Sequence, residues 1–106
     1  MIETTHFITT DEITIYAIKN TPKKVVSSVL CLPMMPATKE SYIPLMQLLE
    51  EANCLAYAID FRGHGESTQE GSLNYHAFED TDHQKYRIDA SEALMQLSEA
   101  GEVTAI

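Results

Sequence analysis

Two short runs near the amino terminus, Phe7-Ile8-Thr9-Thr10 and Ile13-Thr14-Ile15-Tyr16-Ala17-Ile18, alternate apolar or β-branched residues with polar ones. Alternation with period two marks strands with one wet face. The Asp11-Glu12 pair between the runs is short enough for a tight connection, so the two predict an antiparallel hairpin. After the turn residues Asn20-Thr21-Pro22-Lys23-Lys24, positions 25–32 are almost continuously apolar apart from Ser27-Ser28, as in a strand buried on both faces. A proline-rich turn over positions 33–38 leads to positions 42–53, where Leu45, Leu48, Leu49 and Ala52 recur at helical spacing. Pro44 fits that helix only in its first turn, because an interior proline removes a hydrogen bond and clashes with the preceding turn. Positions 54–61 form a second continuous apolar strand, and Arg62-Gly63-His64-Gly65-Glu66-Ser67 reads as a loop by its glycines. A polar stretch follows to about position 80. From there to position 100, Tyr86, Ala90, Ala93, Leu94 and Leu97 mark one helical face, with Gly101 as a C-terminal stop and Val103-Thr104-Ala105-Ile106 as the start of a third apolar strand.

Strand, helix, strand, helix, strand, with the strands apolar throughout, predicts an α/β protein: an N-terminal β-hairpin, then parallel strands with crossover helices on both faces. At 106 residues and 44% hydrophobic, the chain is long enough for one domain and too short for two. Seven Lys and Arg against 16 Asp and Glu give a net charge of −9, which repels phosphate backbones and anionic membrane surfaces and argues against a nucleic-acid partner. No apolar run reaches membrane-spanning length, and the first residues lack a basic segment followed by an apolar one, so the expected location is cytoplasmic. Cys31 and Cys54 sit within apolar runs without C-x-x-C spacing, as small buried hydrophobes do.

The segment Val29-Leu30-Cys31-Leu32-Pro33-Met34-Met35-Pro36-Ala37-Thr38-Lys39-Glu40-Ser41-Tyr42, followed about twenty residues later by Ala58-Ile59-Asp60-Phe61-Arg62-Gly63-His64-Gly65-Glu66-Ser67, resembles the α/β-hydrolase family of esterases, lipases and peptidases. The second segment is similar to that family's D-x-R-G-H-G-x-S loop almost letter for letter, directly after a buried strand. The resemblance implies a partial α/β-hydrolase fold over residues 1–106, a single incomplete domain that ends just before the nucleophile. In the family, the turn after the first buried parallel strand usually reads His-Gly, and the next residue donates its backbone N–H to the oxyanion hole. Here those positions are Pro33 and Met34, with Met35 as the implied donor. The departure matters because glycine permits backbone angles that Met34 tolerates poorly, and Pro36 biases Met35 toward extended conformations.

Such an enzyme needs a serine on a sharp G-x-S-x-G turn, with a histidine base and an acid later in the chain. None of the seven serines has that pattern. Gly65-Glu66-Ser67-Thr68-Gln69 lacks the second glycine, so Ser67 reads as a turn or capping serine. The family places its nucleophile immediately after a strand like the one opening at Val103, so the resemblance leaves the triad outside these residues. Asp60, Arg62, Gly63, His64, Gly65 and Ser67 then form a structural loop beside the cleft, in which Asp60 and Arg62 are placed to pair. His76, Asp80, Asp82 and His83 are metal-ligand types without metal-ligand spacing, and Asp80 or Asp82 serves better as a helix N-cap. Neither a metal nor a cofactor is expected.

The resulting expectation is the N-terminal fragment of a serine hydrolase acting on esters or similar small acyl substrates, inactive by itself. Two alternatives remain: a non-catalytic module that binds a partner or itself through an unfinished sheet edge, and one half of a split hydrolase completed by a second chain. All three predict marginal stability or association, because half a sheet leaves apolar faces uncovered.

Overall fold

The structure, a computed structural model, describes residues 2–33, 37–69, 71, 73–98 and 103–105. Five strands form one mixed sheet in the order β1-β2-β4-β3-β5, with β1 Ile2–Ile8, β2 Thr14–Asn20, β3 Ser27–Cys31, β4 Cys54–Ile59 and β5 Val103–Ala105. β1 and β2 make the expected hairpin, and β2 also pairs antiparallel with β4, whereas β3 lies parallel to both β4 and β5. The helices are α1 Ile43–Glu51, α2 Asp80–Gln84 and α3 Tyr86–Ser98. No helix among the described residues is long and apolar enough to cross a membrane.

The strand order follows from connection geometry. The link from β3 to β4 steps one way along the sheet, and the link from β4 to β5 returns past β3 in the other direction. Right-handed crossovers in opposite directions put their helices on opposite faces. Accordingly Met46 of α1 packs with Ile18, Val29, Cys31, Ala56 and Ala58 on one face. Tyr86, Ala93 and Leu97 of α3 pack with Ile15, Leu30, Leu55, Tyr57 and Ile59 on the other. Strands buried on both faces favour apolar residues at successive positions, which is why Val29-Leu30-Cys31 of β3 and the whole of β4 read as continuous apolar runs.

The boundaries differ from the sequence pattern where pairing, and not periodicity, sets the limit. The hairpin strands extend to seven residues each because the ladder continues through Glu3, Thr4 and Lys19. Their turn is closed by Thr9, whose hydroxyl donates to Asp11 Oδ1 at 2.6 Å and accepts the Ile13 N–H at 3.0 Å, with Glu12 at φ 66°. β3 starts at Ser27 instead of Val25, since its neighbour β4 starts at Cys54, and Val25 and Val26 are left exposed. Pro44 falls in the first turn of α1, where its missing N–H does no harm. The buried side of α1 is centred on Met46, with Ile43 and Leu49 beside it, whereas Leu48 is 64% exposed. The helix expected over 80–100 is divided at Lys85, where the i to i−3 bonds Lys85 N–H to Asp82 O and Ile88 N–H to Lys85 O tighten the turn. The expected stop at Gly101 and the last strand residue Ile106 lie outside the described residues.

Polar groups tie the layers together. Asn20, 1% exposed at the end of β2, donates through Nδ2 to the Met46 carbonyl of α1 at 3.2 Å. Tyr42 donates its hydroxyl proton to the Leu32 carbonyl at 2.8 Å and closes the turn between β3 and α1. Both cysteines are free. Cys31 is fully buried, which pushes its thiol up to about 11, whereas the half-buried Cys54 sits 3.1 Å from the Ser27 hydroxyl.

Ile59 has no exposed surface and lies at the centre of the α3 face. Ile59→Ala is expected to destabilise the chain by about 2–5 kcal/mol, against about 0.5 kcal/mol or less for Leu48→Ala, as read from urea unfolding midpoints. Equal effects would mean that the core is not where the packing places it.

Candidate functional site

The carboxyl ends of parallel strands are where α/β sheets place their chemistry, because the connecting segments leave a crevice there. Two segments meet at those ends, the turn after β3 and the loop after β4. Met34, Met35 and Pro36 of the first segment, including the N–H implied as an oxyanion donor, lie outside the described residues. Its far end, from Ala37 into the 3-10 turn Lys39–Tyr42, is described and is held by the loop after β4.

Asp60 makes that junction. It follows β4 directly, is fully buried, and accepts the Lys39 backbone N–H at 2.7 Å, the Lys39 ammonium at 2.7 Å and the Glu66 N–H at 2.9 Å. Lys39 is 1% exposed, and its ammonium also meets Glu66 Oε1 at 2.6 Å and Glu40 Oε2 at 2.9 Å. Burial disfavours that ammonium, but the hydrogen bonds to Asp60, Glu66 and Glu40 more than offset it and hold the lysine above its ordinary pKa. A cation so held is neither a base nor a nucleophile. Gly65 lets the loop fold over this carboxylate: its φ is +50°, and a Cβ there would fall on the Asp60 side chain.

Arg62 makes a second junction. Its backbone N–H donates to Asp89 Oδ2 at 2.9 Å, and its guanidinium donates to both Asp89 oxygens and, at 2.6 and 3.0 Å, to Asp11. Loop, hairpin turn and α3 are thereby joined around one 3% exposed side chain. The Arg62 hydrogen bonds hold the Asp11 carboxyl down at about 2, whereas burial pushes Asp89 above the ordinary carboxylate range and Arg62 only partly draws it back. Asp60 and Arg62, which could have braced the loop as a pair, turn to Lys39 and Asp89 instead. In an extended segment, side chains two apart share a direction, but each group here turns to a partner more than twenty residues away.

Ser67 has no exposed surface. Its hydroxyl donates to the Asp60 carbonyl at 2.7 Å and accepts the Tyr16 N–H at 2.9 Å, while its carbonyl accepts the Gly63 N–H at 2.7 Å. With both hydroxyl functions engaged, it staples the loop to β2. Gly63 takes φ +79°. His64 is 2% exposed, with Nδ1 3.1 Å from the Arg62 carbonyl and its ring 5.6 Å from that of Tyr86. Of the ligand types in the later segment, Asp82 accepts the Glu79 N–H at 3.0 Å and so caps α2 from its third residue, and His76 is exposed.

Sequence reasoning missed Lys39, Asp89 and Asp11 as partners. Asp89 carried a usable signal, because it stands one turn after Tyr86 and one before Ala93, a charge among core-facing positions. Lys39 carried a weaker one, as the cation nearest the proline-rich turn.

No protein-family model matches the chain, and no curated protein matches it in sequence. Solved structures do match it. DcsB, determined in complex with a substrate analogue, superposes with a TM-score of 0.78 at 14% identity over 99% of this chain and 36% of its own. The α/β hydrolase GrgF from Penicillium sp. sh18 gives 0.75 at 16% identity, over 98% of this chain and 34% of its own. The esterase EaEST from Exiguobacterium antarcticum gives 0.71 at 21% identity, over 95% and 34%. At these identities the similarity is one of fold, and the chain carries the N-terminal part of the α/β-hydrolase fold. It spans about a third of the length of the structures it matches.

Two measurements check the junctions. Lys39→Met leaves the Asp60 carboxylate buried without its cation and is expected to cost about 3–5 kcal/mol in urea unfolding. A loss under about 1 kcal/mol would show that the pair is solvated. Asp11 is lowered from 3.8 to about 2, so its contribution to stability is complete above pH 4 and is lost as pH falls from about 4 to 2. Asp11→Asn is expected to lower stability at pH 6 and to flatten the decline between pH 4 and 2. An unchanged acid slope would refute the Arg62–Asp11 contact.

Proposed function

We propose that these residues are the N-terminal part of a serine hydrolase acting on esters or similar small acyl compounds, in which they supply scaffold and one oxyanion-hole donor. The observation that carries this reading is the register of β5: Val103 lies opposite Ser28 and Ala105 opposite Leu30, parallel and hydrogen-bonded. That alignment brings whatever follows β5 beside the turn that follows β3. A G-x-S-x-G serine after β5 would follow a strand paired with β3, and the family resemblance implies the Met35 N–H as its oxyanion donor. The Asp60–Lys39 and Arg62–Asp89 pairs then act as positioning elements, and His64, Gly63, Gly65 and Ser67 shape the cleft wall. The histidine base and its acid belong to sequence beyond these residues. The similarity to EaEST supports the ester class. The absence of a nucleic-acid partner fits the charge of −9.

A split enzyme is a second reading with its own support. β5 stands at one end of the sheet with a pairing edge outward, and Leu94 and Met95 of α3 are 42% and 62% exposed. A separate chain could complete the sheet there as well as a continuous one.

A fluorophosphonate probe is expected to leave the 106-residue chain unlabelled and to label one serine in a polypeptide that extends it, or complements it, with a G-x-S-x-G sequence. In that active form Met35→Pro, which deletes the N–H, should lower kcat by about 10²–10³ with little change in KM. Labelling of the 106-residue chain at a single serine would sink the proposal.

A further inference from the structure

On the α3 face, at the end of the sheet opposite the Asp60 loop, lies an open cavity of about 340 Å³. About half of its surface is polar, and the apolar remainder comes from Leu55, the Tyr57 ring and Leu97, which are 7%, 6% and 4% exposed. Lys19, Thr5, His6 and Gln96 supply polar groups to its lining. The pairing explains the grouping. Lys19 stands opposite Tyr57 in the β2–β4 ladder and therefore shares its face, while Gln96 and Leu97 come from the last turns of α3.

The charge pattern selects the occupant. The chain carries −9 overall, yet Lys19 is half-buried beside this apolar floor and forms no ion pair among the described residues. Glu3 lies across from it in the β1–β2 register without a contact of 4 Å or less. Tyr57 stays a neutral phenol, since burial pushes it up to about 12. An ammonium, a hydroxyl, an imidazole and a carboxamide beside a small apolar floor match a small amphipathic anion, with its tail on the floor and its head on the lysine.

We infer that this cavity is a binding site for a short- or medium-chain carboxylate, separate from the cleft at the carboxyl ends of the strands and independent of the hydrolase reading. The bound carboxylate places its oxygens on the Lys19 ammonium and the Gln96 amide, and its chain displaces water from Leu55, Tyr57 and Leu97. Medium-chain length follows from the volume, which lies at the low end for ligand pockets.

Octanoate titrated into the isotopically labelled chain at neutral pH tests this by NMR. Saturable shifts are expected at Thr5, Lys19, Leu55, Gln96 and Leu97, with a Kd on the order of 1 mM. Octanamide, of the same length but uncharged, should bind at least about tenfold more weakly to the unaltered chain, and Lys19→Gln should weaken octanoate by a similar factor. The octanamide comparison needs no variant and stands even if Lys19→Gln perturbs folding. Linear, unsaturating shifts up to about 10 mM, saturation at other residues, or equal affinity for octanoate and octanamide would each overturn the site.

Discussion

The buried carboxylate of Asp60 is the constraint on which the end of the sheet depends. A charged group taken out of water needs partners to offset its desolvation, and this side chain has no exposed surface. Its partners are the Lys39 N–H and ammonium from one connection and the Glu66 N–H from another. The charge therefore cannot be satisfied unless the turn after β3 and the loop after β4 stand at one fixed separation. An apolar cluster in the same space would avoid the desolvation penalty, but contacts between apolar groups are not directional and would leave the two segments free to slide. Gly65 is the steric counterpart of that bond, since any side chain there would occupy the carboxylate's position.

Arg62 repeats the device between other parts of the chain. One guanidinium bridges Asp11 in the hairpin turn and Asp89 in α3, and its planar array of donors fixes orientation as well as distance. The loop following β4 is thus tied to β2 through Ser67, to the hairpin turn and α3 through Arg62, and to the turn after β3 through Asp60. The Asp60 carboxylate, the Arg62 guanidinium and the Ser67 hydroxyl are each engaged in these contacts.

The two ends of the sheet differ in what they offer a ligand. At the carboxyl ends of β3 and β4, charged groups neutralise one another within hydrogen-bonding distance. At the opposite end, Lys19 lies beside buried apolar side chains and forms no ion pair among the described residues. An unmatched cation at the rim of an apolar hollow has most to gain from an anion with a hydrocarbon body, because one molecule can satisfy both surfaces.

The local pattern of residues determined the identity and order of the elements. Continuous apolar runs became the inner strands β3 and β4, alternation became the hairpin, the place of Pro44 set the start of α1, and the D-x-R-G-H-G-x-S segment formed a tight loop directly after β4. Periodicity and turn chemistry act over a few residues, so they are legible without knowledge of the rest of the chain. Only the tertiary structure decided where β3 begins, which side of α1 is buried, and that Asp60 turns to Lys39 and Arg62 to Asp89 instead of to each other. Those partners are 21 and 27 residues away in sequence. Which charge a buried group meets depends on the distances that the crossovers create, and no residue type encodes those by itself.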